Sequence, residues 1–123
     1  MTDPVSPSTF EVRSARTEVR VTWEDGHESV YSFKYLRGFC PCAECQGHAA
    51  GWTFQDHPSS TIVSVKEVGS YAVNIVWDDG GSRQHATGIY PFDTLRKLCP
   101  CDACVEAQGA RHAVHEMPEA QRP

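Results

Sequence analysis

The residues best placed to do chemistry are six cysteines in two tight groups, Cys40-Pro41-Cys42-Ala43-Glu44-Cys45 and Cys99-Pro100-Cys101-Asp102-Ala103-Cys104. A Cys-x-Cys-x-x-Cys segment can wrap three thiolates around one metal ion, and the proline between the first two stiffens the loop. Zinc closes its tetrahedron with a fourth ligand, commonly histidine. Three thiolates and a neutral imidazole around a divalent ion leave one negative charge, which nearby backbone amides offset. The fourth ligand must come from elsewhere in the chain, so such a site staples distant segments and feeds its binding energy into folding. A disulfide framework would instead spread its cysteines and would need an oxidising compartment. The clustering argues for metal.

Sliding the chain against itself by 59 positions reveals how the two groups are related. Tyr31, Phe33, Leu36, Arg37, Cys40, Pro41, Cys42 and Cys45 fall on Tyr90, Phe92, Leu95, Arg96, Cys99, Pro100, Cys101 and Cys104, 8 identities in 15 positions. Upstream, Trp23-Glu-Asp25-Gly26-His27 echoes Trp77-Asp-Asp79-Gly80, after which the second copy inserts residues before His85. The chain reads as two related halves, short of the three or more units of a solenoid. His27 and His85 each stand just after a hairpin turn and are the leading fourth ligands. His48, close to the first cluster, is a local alternative. His57, beside Pro58, reads as a solvated loop residue. His112 and His115, three apart, read as an exposed helical face rather than a metal pair.

The elements that must position these groups are short. Thr17 to Trp23 alternates, with Val19, Val21 and Trp23 on one face, as a half-buried strand does. Asp25-Gly26 predicts a two-residue type I′ turn, with His27 to Phe33 returning. Thr61 to Val68 and Tyr71 to Trp77 flank a second turn at Gly69-Ser70, and the latter run is apolar enough for a central strand. A last strand is expected near Gln84 to Tyr90. Helical turns are expected at Tyr35–Phe39 and Phe92–Leu98, each stopped by Cys-Pro-Cys. A terminal helix from Ala103 to Val114 is weakened by Gly109. Trp23, Trp77, Tyr71, Val73 and Ile75 are candidate core, with Leu36 and Leu95 under the cysteine loops. Trp52 and Phe54 are expected to pin the loop over 46–60. Arg37 and Arg96 are expected to cap carbonyls or pair with an acid, and Asp25 and Asp79 read as turn chemistry. The fold class is α+β: a small two-half antiparallel β-hairpin domain with short helices. Residues 1–9 form a flexible arm, 10–116 the domain, and 117–123 a frayed tail.

Bulk properties narrow the function. With 123 residues, one modest core is within reach. A net charge of −5 gives no basic footprint for nucleic acid. No stretch is apolar enough to span a bilayer, and the start lacks the blocks of a secretory signal, so a cytoplasmic location is expected. No phosphate loop, nucleophile elbow or His-Glu-x-x-His occurs. No histidine has an acid two residues later, so the two-histidine, one-carboxylate triad of an iron oxygenase has no sequence support. The expectation is a non-enzyme.

With these motifs in hand, the chain resembles the gamma-butyrobetaine hydroxylase-like N-terminal domain family. The resemblance rests on the Trp-x-Asp-Gly hairpins, Leu36-Arg37-x-x-Cys40-Pro41-Cys42-Ala43-x-Cys45, Val68-Gly69-Ser-Tyr71-Ala72-Val73 and His85-x-Thr87-Gly88-Ile89-Tyr90. It covers roughly residues 10 to 104. In the hydroxylases this domain precedes a catalytic barrel, helps build the dimer and binds zinc through three clustered cysteines and a later histidine. Carried over, that implies Cys40, Cys42, Cys45 and His85. Two departures stand out: Gly81 to Gln84 interrupt the Asp-Gly-His pattern, and the second cluster is complete. Pseudo-symmetry then suggests the reciprocal set, Cys99, Cys101 and Cys104 with His27. The resulting expectation is a zinc-binding module with a structural or interaction role, an unidentified protein partner or self-association as a homodimer, and no nucleic acid or membrane. The alternative is iron–sulfur cluster binding or delivery, because related domains are appended to cluster-carrier ATPases and thiolates suit clusters. A thiol redox protein is a third reading, disfavoured because the Cys-x-x-Cys pairs do not follow a strand in a βαβ pattern.

Overall fold

In a computed structural model, residues 6–46, 52–80 and 84–122 are described. Strands β1 (Pro7–Arg13), β2 (Glu18–Trp23) and β3 (Glu28–Ser32) lead into α1 (Phe33–Gly38) and, past the first Cys-Pro-Cys turn, α2 (Ala43–Gln46). Strands β4 (Thr61–Val68), β5 (Ala72–Asp78) and β6 (Gln84–Pro91) lead in the same way into α3 (Phe92–Lys97) and α4 (Asp102–Gln108). Each set of strands is a three-stranded antiparallel meander, β1-β2-β3 and β4-β5-β6. The architecture is the expected α+β arrangement.

Alternation places the core. Val19, Val21 and Trp23 of β2 are buried, with Tyr31 of β3 and Val73, Ile75 and Trp77 of β5. They join Leu36, Leu95 and Tyr90 in one contiguous hydrophobic core that draws on both sheets. Phe33 meets Trp77 edge to face at 5.9 Å across the halves. The buried Trp23 indole N–H donates to Ser29 Oγ at 2.9 Å, so its polar tip is satisfied.

Four features depart from the sequence expectation. The first hairpin closes with three residues: Gly26 N–H donates to Trp23 O at 2.9 Å and Trp23 N–H to His27 O at 2.8 Å. Asp25 accepts the His27 N–H at 3.1 Å, an Asx contact. Gly26 alone in this loop takes a positive φ, 89°, the left-handed step that follows a type I turn. Tyr71, expected in the core, lies in the turn between β4 and β5 and is 59% exposed. Strand β1 takes in Pro7–Thr9, which the expected arm contained, and Phe10 and Val12 pack against the core. Their alternation with Thr9, Glu11 and Arg13 was the available signal. Finally, the terminal helix stops at Gln108, because Gly109 turns to a φ of 59°. Short 3-10 turns follow, and Met117, expected to be frayed, is 3% exposed within the core.

The segment after α2 lies over α1. Phe39 packs on Trp52 and Phe54 at 6.1 and 5.2 Å, as expected for Trp52 and Phe54. Gln55 N–H donates to Gly38 O at 3.0 Å. A Cβ at Gly38 would overlap the Phe54 ring and come within 3.0 Å of Gln55 O. Gly38→Ala should therefore cost about 1–3 kcal/mol by overpacking. Denaturant unfolding checks this, and an unchanged midpoint would mean that the segment lifts away freely.

Candidate metal centres

Both cysteine turns sit between two short helices, and each faces a histidine from the opposite half. Cys40, Cys42 and Cys45 gather with His85, and Cys99, Cys101 and Cys104 with His27. In each group the four ligand atoms lie within 4.8 Å of one another. His85 Nε2 is 3.3, 3.5 and 3.6 Å from Cys40, Cys42 and Cys45 Sγ. His27 Nε2 is 3.3, 3.7 and 3.5 Å from Cys99, Cys101 and Cys104 Sγ. A tetrahedral ion with Zn–S near 2.3 Å and Zn–N near 2.05 Å separates N from S by about 3.6 Å. The two groups fit one ion each. All eight sequence candidates are brought together, in the reciprocal pairing that the repeat suggested.

Local structure explains the convergence. His27 and His85 stand beside their hairpin turns, His27 at the start of the β2–β3 return and His85 within β6. Cys101 begins α4, where its Sγ accepts the Cys104 N–H at 3.4 Å. At the first group Gln46 Nε2 donates to Cys40 O at 3.0 Å and Gln55 Nε2 to Cys45 O at 2.8 Å. His112 plays the corresponding part at the second. Val114 N–H donates to His112 Nδ1 at 3.0 Å, so Nε2 carries the proton and donates to Cys99 O at 2.8 Å. This corrects the exposed face expected for His112: it is 1% exposed, because the chain leaves the helix at Gly109. His57 is half-buried near Gln55, and His48 lies outside the described residues.

The two arginines found by the repeat pair with acids, as expected. Arg37, 3% exposed, makes a bidentate contact with Asp79 at 2.9 and 2.9 Å, and its Nη1 reaches Cys45 Sγ at 3.4 Å. Ser60 Oγ donates to the same carboxylate at 2.6 Å. Arg96 forks onto Asp25 at 3.2 and 3.0 Å over the Trp23 ring. The site role of Asp79 was hidden by its turn position; the recurrence of Asp-Gly beside a recurring arginine was the signal for it.

Electrostatics sets the cost of filling the groups. Burial pushes the Cys40 thiol well up and also raises Cys45, against the pull of Arg37. Burial, with the Cys101 and Cys99 sulfurs, pushes Cys104 up to about 12. Cys101 is held low: burial opposes ionisation, but the Cys104 amide and neighbouring thiols donate to it. An incoming ion must displace protons from these sulfurs. None of the six cysteines is joined in a disulfide.

The sequence model of the gamma-butyrobetaine hydroxylase-like N-terminal family matches residues 10–96. The chain belongs to that family. It is similar to a gamma-butyrobetaine dioxygenase of Pseudomonas sp. (strain AK-1), 29% identical over 101 residues that make up 79% of this chain and 25% of that protein. The match thus spans about a quarter of that relative's length. A crystal structure of a DUF971-family protein of unknown function from Acidithiobacillus ferrooxidans ATCC 23270 superposes with a TM-score of 0.61 at 32% identity, covering 78% of this chain and 96% of that one. A protein solved by NMR aligns at 27% identity, TM-score 0.65, over 89% of each chain. Cys99, Cys101 and Cys104 lie beyond the matched family span. No helix among the described residues is long and apolar enough to cross a membrane.

Asp79 gives this region a pH signature. Burial alone would raise its carboxyl, but Arg37 and Ser60 overcome that and hold it at about 2, below the ordinary 3.8. Its stabilisation is full above the ordinary value and is lost as pH falls toward 2. Asp79→Asn should destabilise by about 3 kcal/mol at neutral pH, since Arg37 loses its charged partner. The gap to wild type should shrink between pH 4 and 2; a gap independent of pH would assign the loss to packing instead.

Proposed function

We propose that the protein is a non-catalytic zinc-binding module with two structural ions, one in each three-cysteine, one-histidine group, and a role in protein interaction. The observation that carries this is convergence: each group points four ligand atoms at a single position with the spacing of a tetrahedral ion. A zinc ion there polarises no substrate, because all four positions are taken by protein, which is the mark of a structural site. Cys40, Cys42, Cys45 and His85 would hold one ion; Cys99, Cys101, Cys104 and His27 the other. A compartment that keeps thiols reduced, such as the cytoplasm, suits six ligating cysteines. The partner is a protein or a second copy of this chain, as the domain's relative is part of a larger enzyme. The iron–sulfur alternative draws its support from thiolate chemistry and from the related domains on cluster-carrier ATPases. A cluster, however, spreads its ligands over several irons, whereas each group here gathers four ligand atoms within 4.8 Å of one another.

Elemental mass spectrometry on protein purified without chelator should find two zinc ions per chain in a colourless sample. Cys42→Ser should remove one ion and His27→Ala should weaken the other. Each should lower the thermal midpoint by about 10 °C or more, given the folding energy a structural ion supplies. Iron with acid-labile sulfide in an anaerobic preparation would overturn the zinc assignment.

A further inference from the structure

The two groups are built alike but are not covered alike. Around the first, Gln46 and Gln55 tie down the cysteine carbonyls, Phe54 closes over Gly38, and the buried Arg37–Asp79–Ser60 network seals one side. Both Cys40 and Cys45 are buried. In the second copy the position of Gly38 is taken by Lys97. There the surface opens into a pocket of about 770 Å³ lined by Trp52, Arg96, Lys97, Cys104, Gln108 and Arg111. Only Cys99 is buried in this group, while Cys101 and Cys104 are half-buried.

The lining is chemically one-sided. Among the described residues, three cations face the pocket and no carboxylate does, in a chain whose net charge is −5. Arg96 is engaged by Asp25 and Trp23; Lys97 and Arg111 form no ion pair among the described residues. Cys104 belongs to both the pocket wall and the metal group. The volume is that of a small-molecule site.

We infer that the second group is an exchange site, and that the pocket beside it receives an anionic, carboxylate-bearing chelating ligand that loads or removes the ion. This rests on the metal-binding reading above. The ligand's carboxylates seat on Lys97 and Arg111. There a donor oxygen would compete with the Cys104 thiolate for an ion held by Cys99, Cys101, Cys104 and His27, removing it or, in reverse, delivering it. The first group, with Cys40 and Cys45 buried, keeps its ion.

Stopped-flow release from the fully loaded protein tests this, using excess nitrilotriacetate as the carboxylate chelator and a neutral polypyridyl amine as the comparison. Two zinc ions per chain should leave in two equal phases at least 10-fold apart in rate, and Cys101→Ser should lack the fast one. The double variant Lys97→Glu, Arg111→Glu should slow the fast phase about 10-fold with nitrilotriacetate, through loss of local attraction. With the neutral chelator it should change less than twofold. A single phase carrying two ions, or equal slowing with both chelators, overturns the exchange site and leaves the structural metals standing. Fewer than two ions in the loaded protein would overturn both.

Discussion

Each metal group takes three ligands from one half of the chain and the fourth from the other, and the remaining structure is arranged around that exchange. His85 lies 45 residues from Cys40, and His27 lies 72 from Cys99. Neither group can assemble until both hairpin meanders are in place. A structural zinc contributes about 10–16 kcal/mol in small domains, comparable with the whole net stability of a typical fold, about 5–15 kcal/mol. With an ion in each group, the halves cannot part without surrendering both. Such ions would let helices of six residues, far below the length at which isolated helices persist, hold their cysteine turns in position.

Polar contacts repeat the exchange on a smaller scale. Tyr31 donates its hydroxyl to Leu95 O, and Tyr90, its counterpart 59 positions on, donates to Leu36 O at 2.7 Å. Tyr35 reaches Leu98 O in the same way. These carbonyls belong to the last turns of α1 and α3 or just follow them, where a helix leaves acceptors without partners. Burial raises the Tyr31 and Tyr90 phenols far above their ordinary value, so they remain donors at any physiological pH. Each tyrosine therefore anchors the helix end that delivers the opposite half's cysteines. The Arg37–Asp79 and Arg96–Asp25 pairs cross the same boundary.

Legibility in the sequence followed the range of the interactions. Strand β2 was readable from alternation, β4 and β5 from the Gly69-Ser70 turn they flank and the apolar run of β5, and the cysteine turns from local spacing. The fourth ligands were readable only because the motif occurs twice, which let one half suggest what the other supplies. Turn geometry was not: Asp25-Gly26 satisfies the dipeptide rule for a two-residue turn, yet the Asp25 contact with the His27 amide selects a longer loop. Tyr71 was misplaced because apolar character marks a strand without marking its first residue. His112 was missed because its burial depends on the break at Gly109 and on a carbonyl 13 residues away.

The unequal covering of the two groups has a topological origin. After α2 the chain must still travel to β4, so a connecting segment is obliged to cross the first cysteine turn. Gly38 lets Phe54 settle there without a side chain in the way. After α4 the chain folds back as short turns, bringing His112, Val114 and Met117 against the core on the Cys99 side. Nothing in that path need pass over Cys104, and Lys97 occupies the place that glycine keeps clear in the first half. A glycine at 38 and a lysine at 97 thus mark the difference between a centre sealed by its own connection and a centre open to ligands.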